Sequence, residues 1–208
     1  MINEIQSGEG VAIDIPPGVI VFCDMDGTLV DTDYANYLSY RGAVIEATRG
    51  TQDVDYTDER LNRERLKKRL PSLTDSQLEV IAALKSEYFK EFLSDTRLNN
   101  ALAQIIFKHR NKSTIVLVTR CREKRVVQVL EYHKMLDCFT RLICYESLPK
   151  VGLSNKYESA MSLMRARQES VLIFENDNTD IEEAMLAGVP KRNIYRVMPK
   201  LTECHEPI

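Results

Sequence analysis

Short apolar runs alternate along this chain with longer stretches in which apolar residues recur every three or four positions. Four runs rich in β-branched residues, VIVFC (19–23), TIVLV (114–118), LICY (142–145) and VLIF (171–174), predict buried strands, and IYRV (194–197) predicts a weaker fifth. Between the later runs, helical spacing predicts helices over 122–136 (Val126, Val129, Leu130), 155–167 (Ala160, Leu163, Met164) and 180–187. Strands separated by helices in this way predict an α/β fold with a parallel sheet and helices on both faces. Local signals agree: Asn155 with Glu158 and Thr74 with Gln77 have capping-box spacing, and Gly188-Val189-Pro190 stops a helix.

The first two runs lie about 90 residues apart, far more than a simple strand-to-helix connection needs. Helical patterns fill the gap over 34–48, 58–69 and 74–93, divided near Gly50 and Pro71. Residues 31–97 are therefore expected to form a helical cap inserted into a core built from residues 1–30 and 98–208.

Composition narrows the picture further. The 208 residues, 44% hydrophobic and 28% charged, suit an ordinary globular protein, and the net charge of -3 argues against bulk attraction to nucleic acid or an anionic membrane. An anionic ligand must then be caught locally. Five cysteines (Cys23, Cys121, Cys138, Cys144, Cys204) are scattered, odd in number and without a C-x-x-C pair, which favours a reducing, cytoplasmic compartment. The N-terminal MINEIQSGEGVAIDIPPG has no apolar h-region, and no apolar run approaches the roughly 18 residues of a membrane span, so neither a signal peptide nor a span is expected.

The chemistry gathers where strands end. VIVFC leads into Asp24-Met25-Asp26, TIVLV into Thr119-Arg120, VLIF into Glu175-Asn176-Asp177, and Lys156 begins a helix downstream of the third run. In open parallel sheets, ligands bind outside these carboxyl ends. Residues i and i+2 of an extended chain face the same side, so Asp24 and Asp26 converge and repel unless a proton or cation lies between them. Hard oxygen ligands favour Mg²⁺ over softer metals, and Gly27 permits a sharp turn of the backbone.

These motifs, in this order, resemble the haloacid dehalogenase-like (HAD) superfamily. Asp24-Met25-Asp26-Gly27-Thr28-Leu29 matches its D-x-D-G-T-[LV] motif, Thr119 its second motif, Lys156 its third and FENDNTDIEEAMLAG its acidic fourth. The resemblance implies a Rossmann-like core and a Mg²⁺-dependent phosphohydrolase acting on a small phosphorylated metabolite or nucleotide. Asp24 would be the nucleophile that becomes an aspartyl-phosphate, and Asp26 the general acid and then base. Thr119 and Lys156 would steady the transferring group, while Thr28, Arg120 and Arg122 would contact substrate. Asp24, Asp26, Glu175, Asn176 and Asp180 would form the metal site, Asp180 chiefly as an orienting residue. An acid at position 26 favours phosphate esters over halides, because halide leaves unprotonated.

The fourth motif departs from the family's usual pattern, since the neutral Asn176 stands where an aspartate is common. Three other readings stay open: a sugar phosphomutase, a nucleic-acid end phosphatase using the basic stretch LNRERLKKRL (61–70), and a catalytically weak binding protein motivated by Asn176. For the basic stretch, and for Lys124 and Arg125 after Thr119, the plainer alternative is a solvated helix face. For Tyr34, Tyr37 and Tyr40 it is packing between helices.

Overall fold

The apolar runs become strands because both of their faces are covered. Val21, Phe22 and Cys23, then Ile115, Val116, Leu117 and Val118, and then Val171, Ile173 and Phe174 are all fully buried, as central strands of a parallel sheet must be. The computed structural model describes residues 2–6, 13–57, 59–149 and 155–198. Asp58 at the start of the predicted 58–69 helix, and Cys204, lie outside the described residues.

In chain order the elements are β1 (Asn3–Gln6), β2 (Ile20–Cys23), β3 (Val30–Asp31), α1 (Asp33–Ala47), α2 (Arg63–Arg69), α3 (Asp75–Tyr88), β4 (Arg97–Leu98), α4 (Asn100–His109), β5 (Thr114–Val118), α5 (Glu123–Tyr132), β6 (Arg141–Ile143), α6 (Lys156–Met164), β7 (Val171–Glu175), α7 (Asn178–Leu186) and β8 (Ile194–Met198). Short 3₁₀ segments join several of them. Six strands form one sheet in the order β1-β8-β7-β2-β5-β6, every pairing parallel. The chain winds from β2 outward through β5 and β6, then returns to the other flank through β7 and β8. β2 therefore stands where the winding reverses, the place at which such sheets leave a crevice. This is the Rossmann-like α/β fold.

By its contacts the chain divides into two compact units, residues 1–30 with 98–208, and residues 31–97. Each has its own apolar centre. The sheet unit packs Phe22, Val116, Ile143, Tyr157, Ile173 and Ile181 among others. The helical unit packs Val44, Leu61, Leu66, Leu73, Leu78 and Ile81. Its α3 starts on a complete capping box, in which the Thr74 hydroxyl accepts from the Gln77 amide at 3.2 Å and the Thr74 amide donates to Gln77 Oε1 at 2.9 Å.

Several boundaries moved for local reasons. The predicted 74–93 helix stays α-helical only to Tyr88 and then tightens into a 3₁₀ segment, Phe89–Asp95, with Phe92 outside helical geometry. The predicted 58–69 helix begins at Arg63, because Asn62 takes the cap and accepts from the Arg65 amide. Left-handed Lys134 (φ 57°) follows the shortened α5, and left-handed Arg165 (φ 49°) caps α6. Asp177 caps α7, which starts at Asn178 and stops before Gly188 at φ 90°. Among the described strands and α-helices, four were not expected: edge strand β1, paired with β8, the two-residue strands β3 and β4, and helix α4.

Within the helical unit the basic stretch is satisfied locally. Arg63 pairs with Glu79, Arg65 with Glu59 and Lys68 with Glu64, while Arg60 meets Asp33 and Arg69 donates to the Asp55 carbonyl. The tyrosines pack on one another: the Tyr37 ring lies 5.9 Å from Tyr34 and 5.1 Å from Tyr56. Among the described residues no helix is long and apolar enough to cross a membrane.

Candidate active site

Register brings the motifs together. Cys23 at the end of β2 is level with Leu117 of β5 and with Phe174 of β7, so Asp24 emerges between the Thr119 segment and Glu175. The Asp24 amide still donates to the Phe174 carbonyl at 3.1 Å, which anchors the loop to β7 as it leaves the sheet. The chain then folds back: the amides of Leu29 and Val30 both bond the Met25 carbonyl, at 3.0 and 2.9 Å, around a fully buried Met25. Gly27 makes this turn at φ 82°, and a Cβ there would sit 2.6 Å from Asn176 Nδ2. Any larger residue must displace that amide.

At the centre is Lys156, only 1% exposed. Its Nζ lies 2.8 Å from Asp24 Oδ1, 2.8 Å from Glu175 Oε2 and 2.6 Å from Asp180 Oδ2. Asn155 places it by capping α6 with bonds from the Tyr157 and Glu158 amides. Burial alone would push the ammonium's pKa down, but Asp24, Glu175 and Asp180 together hold it well above the ordinary lysine value. Burial, followed by repulsion from Glu175, pushes Asp24 up to about 8 despite the lysine beside it. Burial also acts to raise Asp180, yet Lys156 and Arg120 hold it below the usual carboxylate range. With all three carboxylates ionised, the single ammonium leaves two negative charges in excess, and a proton held on Asp24 lowers that excess to one.

Both oxygens of Glu175 have partners. Its Oε1 accepts from the Asn176 and Asp177 amides, at 2.8 and 3.0 Å, and its Oε2 from the Tyr157 hydroxyl at 2.5 Å as well as from Lys156. A fully buried carboxylate requires such partners.

Asp24, Glu175 and Asp180 each offer an oxygen within 4.8 Å of the others, a hard-donor set that fits a divalent cation of the Mg²⁺ kind. Two residues expected in the metal site have other engagements. Asp26 lies 2.8 Å from Arg125 Nη2. Asn176 Oδ1 accepts from the Thr28 hydroxyl at 2.8 Å, and its amide donates back to Thr28 Oγ1 at 3.1 Å. Thr28 has a single hydroxyl proton, so its 3.3 Å approach to Asp24 Oδ2 is secondary to that bond. Thr119 is 2% exposed; its amide donates to the Ile143 carbonyl and its hydroxyl accepts from the Cys121 amide at 3.2 Å. Arg120, expected to bind substrate, has a side chain 44% exposed, and its guanidinium grips Asp180 and Glu183. Arg122 is exposed at the N-cap of α5.

Three contributors went unread in the sequence as site residues. Tyr157 holds Glu175, Arg125 holds Asp26, and Glu183 holds Arg120. Each does so across 18 to 99 residues of chain. Arg125, among the basic residues after Thr119, and Glu183, within the acidic fourth motif, lie in stretches that carried a sequence signal of the site, and Tyr157 does not.

Residues 20–193 match the family described as haloacid dehalogenase-like hydrolase. The chain belongs to this family. Several solved structures share its fold. One is a HAD hydrolase of family IA, variant 3, from Entamoeba histolytica (17% identity, TM-score 0.67, covering 88% of this chain and 86% of that one). Another is a predicted phosphoglycolate phosphatase from Haemophilus somnus (18%, TM-score 0.68, 86% and 83%). A candidate β-phosphoglucomutase from Thermotoga maritima is comparably similar (19%, TM-score 0.65, 90% and 88%). A comparison with curated proteins found no match.

Proposed function

We propose that this HAD hydrolase is a Mg²⁺-dependent phosphomonoesterase that acts through an aspartyl-phosphate on Asp24. The observation that carries the reading is the buried Lys156 with its three carboxylates at the carboxyl end of β2, an arrangement with more negative charge than its own cation balances. Asp24, Glu175 and Asp180 would hold the Mg²⁺, which when bound supplies positive charge for the phosphoryl oxygens and favours ionised Asp24.

An Asp24 carboxylate oxygen attacks phosphorus, the bond to the substrate's ester oxygen breaks, and Asp26 gives its proton to the departing alkoxide. Asp26 then takes a proton from water, whose oxygen attacks phosphorus and breaks the bond to Asp24, releasing phosphate. Arg125, 2.8 Å from Asp26 Oδ1, aims that carboxyl. An anionic substrate nearby favours the protonated form that the first step needs. Lys156 fixes the attacking carboxylate, and its charge opposes the build-up on the phosphoryl group.

Residues 31–97 would act as the cap that selects a small phosphorylated substrate and excludes water. The pairing of Arg60, Arg63, Arg65 and Lys68 with acids of their own unit gives no support to a nucleic-acid end as substrate. The proposal includes a cytoplasmic setting, supported by the scattered cysteines.

The test is phosphate release from sugar phosphates, nucleotides, phosphorylated oligonucleotides and p-nitrophenyl phosphate, with Mg²⁺ and with EDTA, while sugar-phosphate isomers are followed for mutase activity. We expect Mg²⁺-dependent release that Asp24→Asn lowers by about a thousandfold or more. Near-normal turnover by that variant, or isomerisation without release, overturns the reading.

A further inference from the structure

We infer that Arg120 and Glu183 form a strut that positions Asp180 and the first turn of α6, and that Arg120 is a positioning residue, not a substrate-binding one; the inference rests on the phosphatase reading above. Arg120 follows Thr119 directly off β5, where a cation would be expected to meet an anionic substrate. Its guanidinium is instead spent within the protein. Nη1 donates to Asp180 Oδ1, and Nη2 lies 2.7 and 2.6 Å from the two oxygens of Glu183. Asp180 and Glu183 are three residues apart on α7, so they lie on one face at a spacing that the planar fork can bridge.

Glu183 has further bonds that tie this fork to Lys156. Its Oε2 accepts from the Lys156 backbone amide at 3.3 Å, and its carbonyl accepts from the Asn155 side chain. The other Asp180 oxygen accepts from Lys156 Nζ at 2.6 Å. Asp180 is thus held from both sides, by Arg120 and by the lysine that also holds Asp24. Releasing Arg120 to bind a phosphate would strip Asp180 and Glu183 of their partner together. The pair is electrically neutral within itself, so it sets position without altering the excess negative charge of the centre.

The test compares Arg120→Ala, Arg120→Lys, Glu183→Ala and the double alanine variant, using turnover of p-nitrophenyl phosphate and calorimetric binding of Mg²⁺ to the substrate-free protein. A strut predicts that both single alanine variants lower kcat by about tenfold, with KM changed less than threefold, and that the double variant is no worse than either single. It also predicts that Mg²⁺ affinity falls by a similar factor in both. Arg120→Lys, which keeps the charge but loses the fork, should behave like the alanine variant. A tenfold or larger rise in KM on Arg120→Ala, with Glu183→Ala silent, assigns Arg120 to the substrate and overturns the strut. Additive losses in the double variant overturn it as well. A wild-type protein inactive on every phosphate ester refutes the phosphatase reading, and the strut is then judged by the Mg²⁺ affinities of the same variants: a shared, non-additive loss supports it, and unchanged affinities overturn it.

Discussion

The two units handle charge in opposite ways. In the helical unit, acids and bases pair one to one at the surface: Arg41 with Asp53 and Lys68 with Glu64 have both side chains about half exposed or more. In the sheet unit one ammonium, almost entirely buried, faces three carboxylates that it cannot balance. Surface pairs add about 0 to 1 kcal/mol each, whereas burying ions costs more than their mutual attraction readily returns. A fold selected for stability alone would place charges as the helical unit does. The contrast therefore locates function: the sheet unit carries an electrostatic strain for which packing gives no reason.

The contrast can be broken most forcefully at its centre. Lys156→Met leaves three converging carboxylates without their cation, and urea unfolding near pH 7 should record a loss of about 3–5 kcal/mol. A loss below about 1 kcal/mol would mean that the cluster relaxes freely. Next comes pH dependence in metal-free protein. Folded Asp24 keeps its proton to about 8, against 3.8 for the ordinary group, so across that range the folded state binds a proton that the unfolded state has released. Stability should then fall as pH rises, by roughly 2–3 kcal/mol between about pH 5 and about pH 7, and Asp24→Asn should flatten the slope. A slope identical in wild type and variant removes Asp24 as its source.

The smallest effects belong to the helical unit and calibrate the others. Thr74→Ala removes one half of the capping box and should cost about 1 kcal/mol, whereas Arg41→Ala, which removes an exposed pair, should cost less than about 0.5 kcal/mol. Thermal unfolding of both variants checks the order, and an Arg41→Ala effect as large as that of Lys156→Met would erase the distinction between the two units.

The sheet was readable because its central strands are apolar on both faces: β2, β5 and β7 lie within a residue of the runs that predict them. β1 was not, since at this sheet edge Asn3 and Glu4 are exposed beside buried Ile5, and the strand acquires its identity from pairing with β8. α4 had a legible signal in the Asn99 cap and in Leu102, Ile105 and Ile106, which follow one another at helical spacing, yet it falls where the insertion rejoins the core. At the site, the strand-end motifs point to Asp24, Lys156 and Glu175, residues that the fold brings together. The engagements of Asp26 with Arg125, Asn176 with Thr28 and Arg120 with Glu183 are not local patterns. They join side chains 63 to 148 residues apart, and only the folded register decides them.

The close approach of Gly27 to the Asn176 amide makes these two positions hostages to each other across the whole insertion. A larger residue at 27 meets the Asn176 amide and also bears the strain of a left-handed φ of 82°, so a smaller residue at 176 relieves only the first cost, while a branched side chain at 176 would press on the Gly27 turn. Substitutions at either position should therefore be tolerated in one order and not in the other, a directional dependence that a deep mutational scan of paired variants would reveal as asymmetric epistasis.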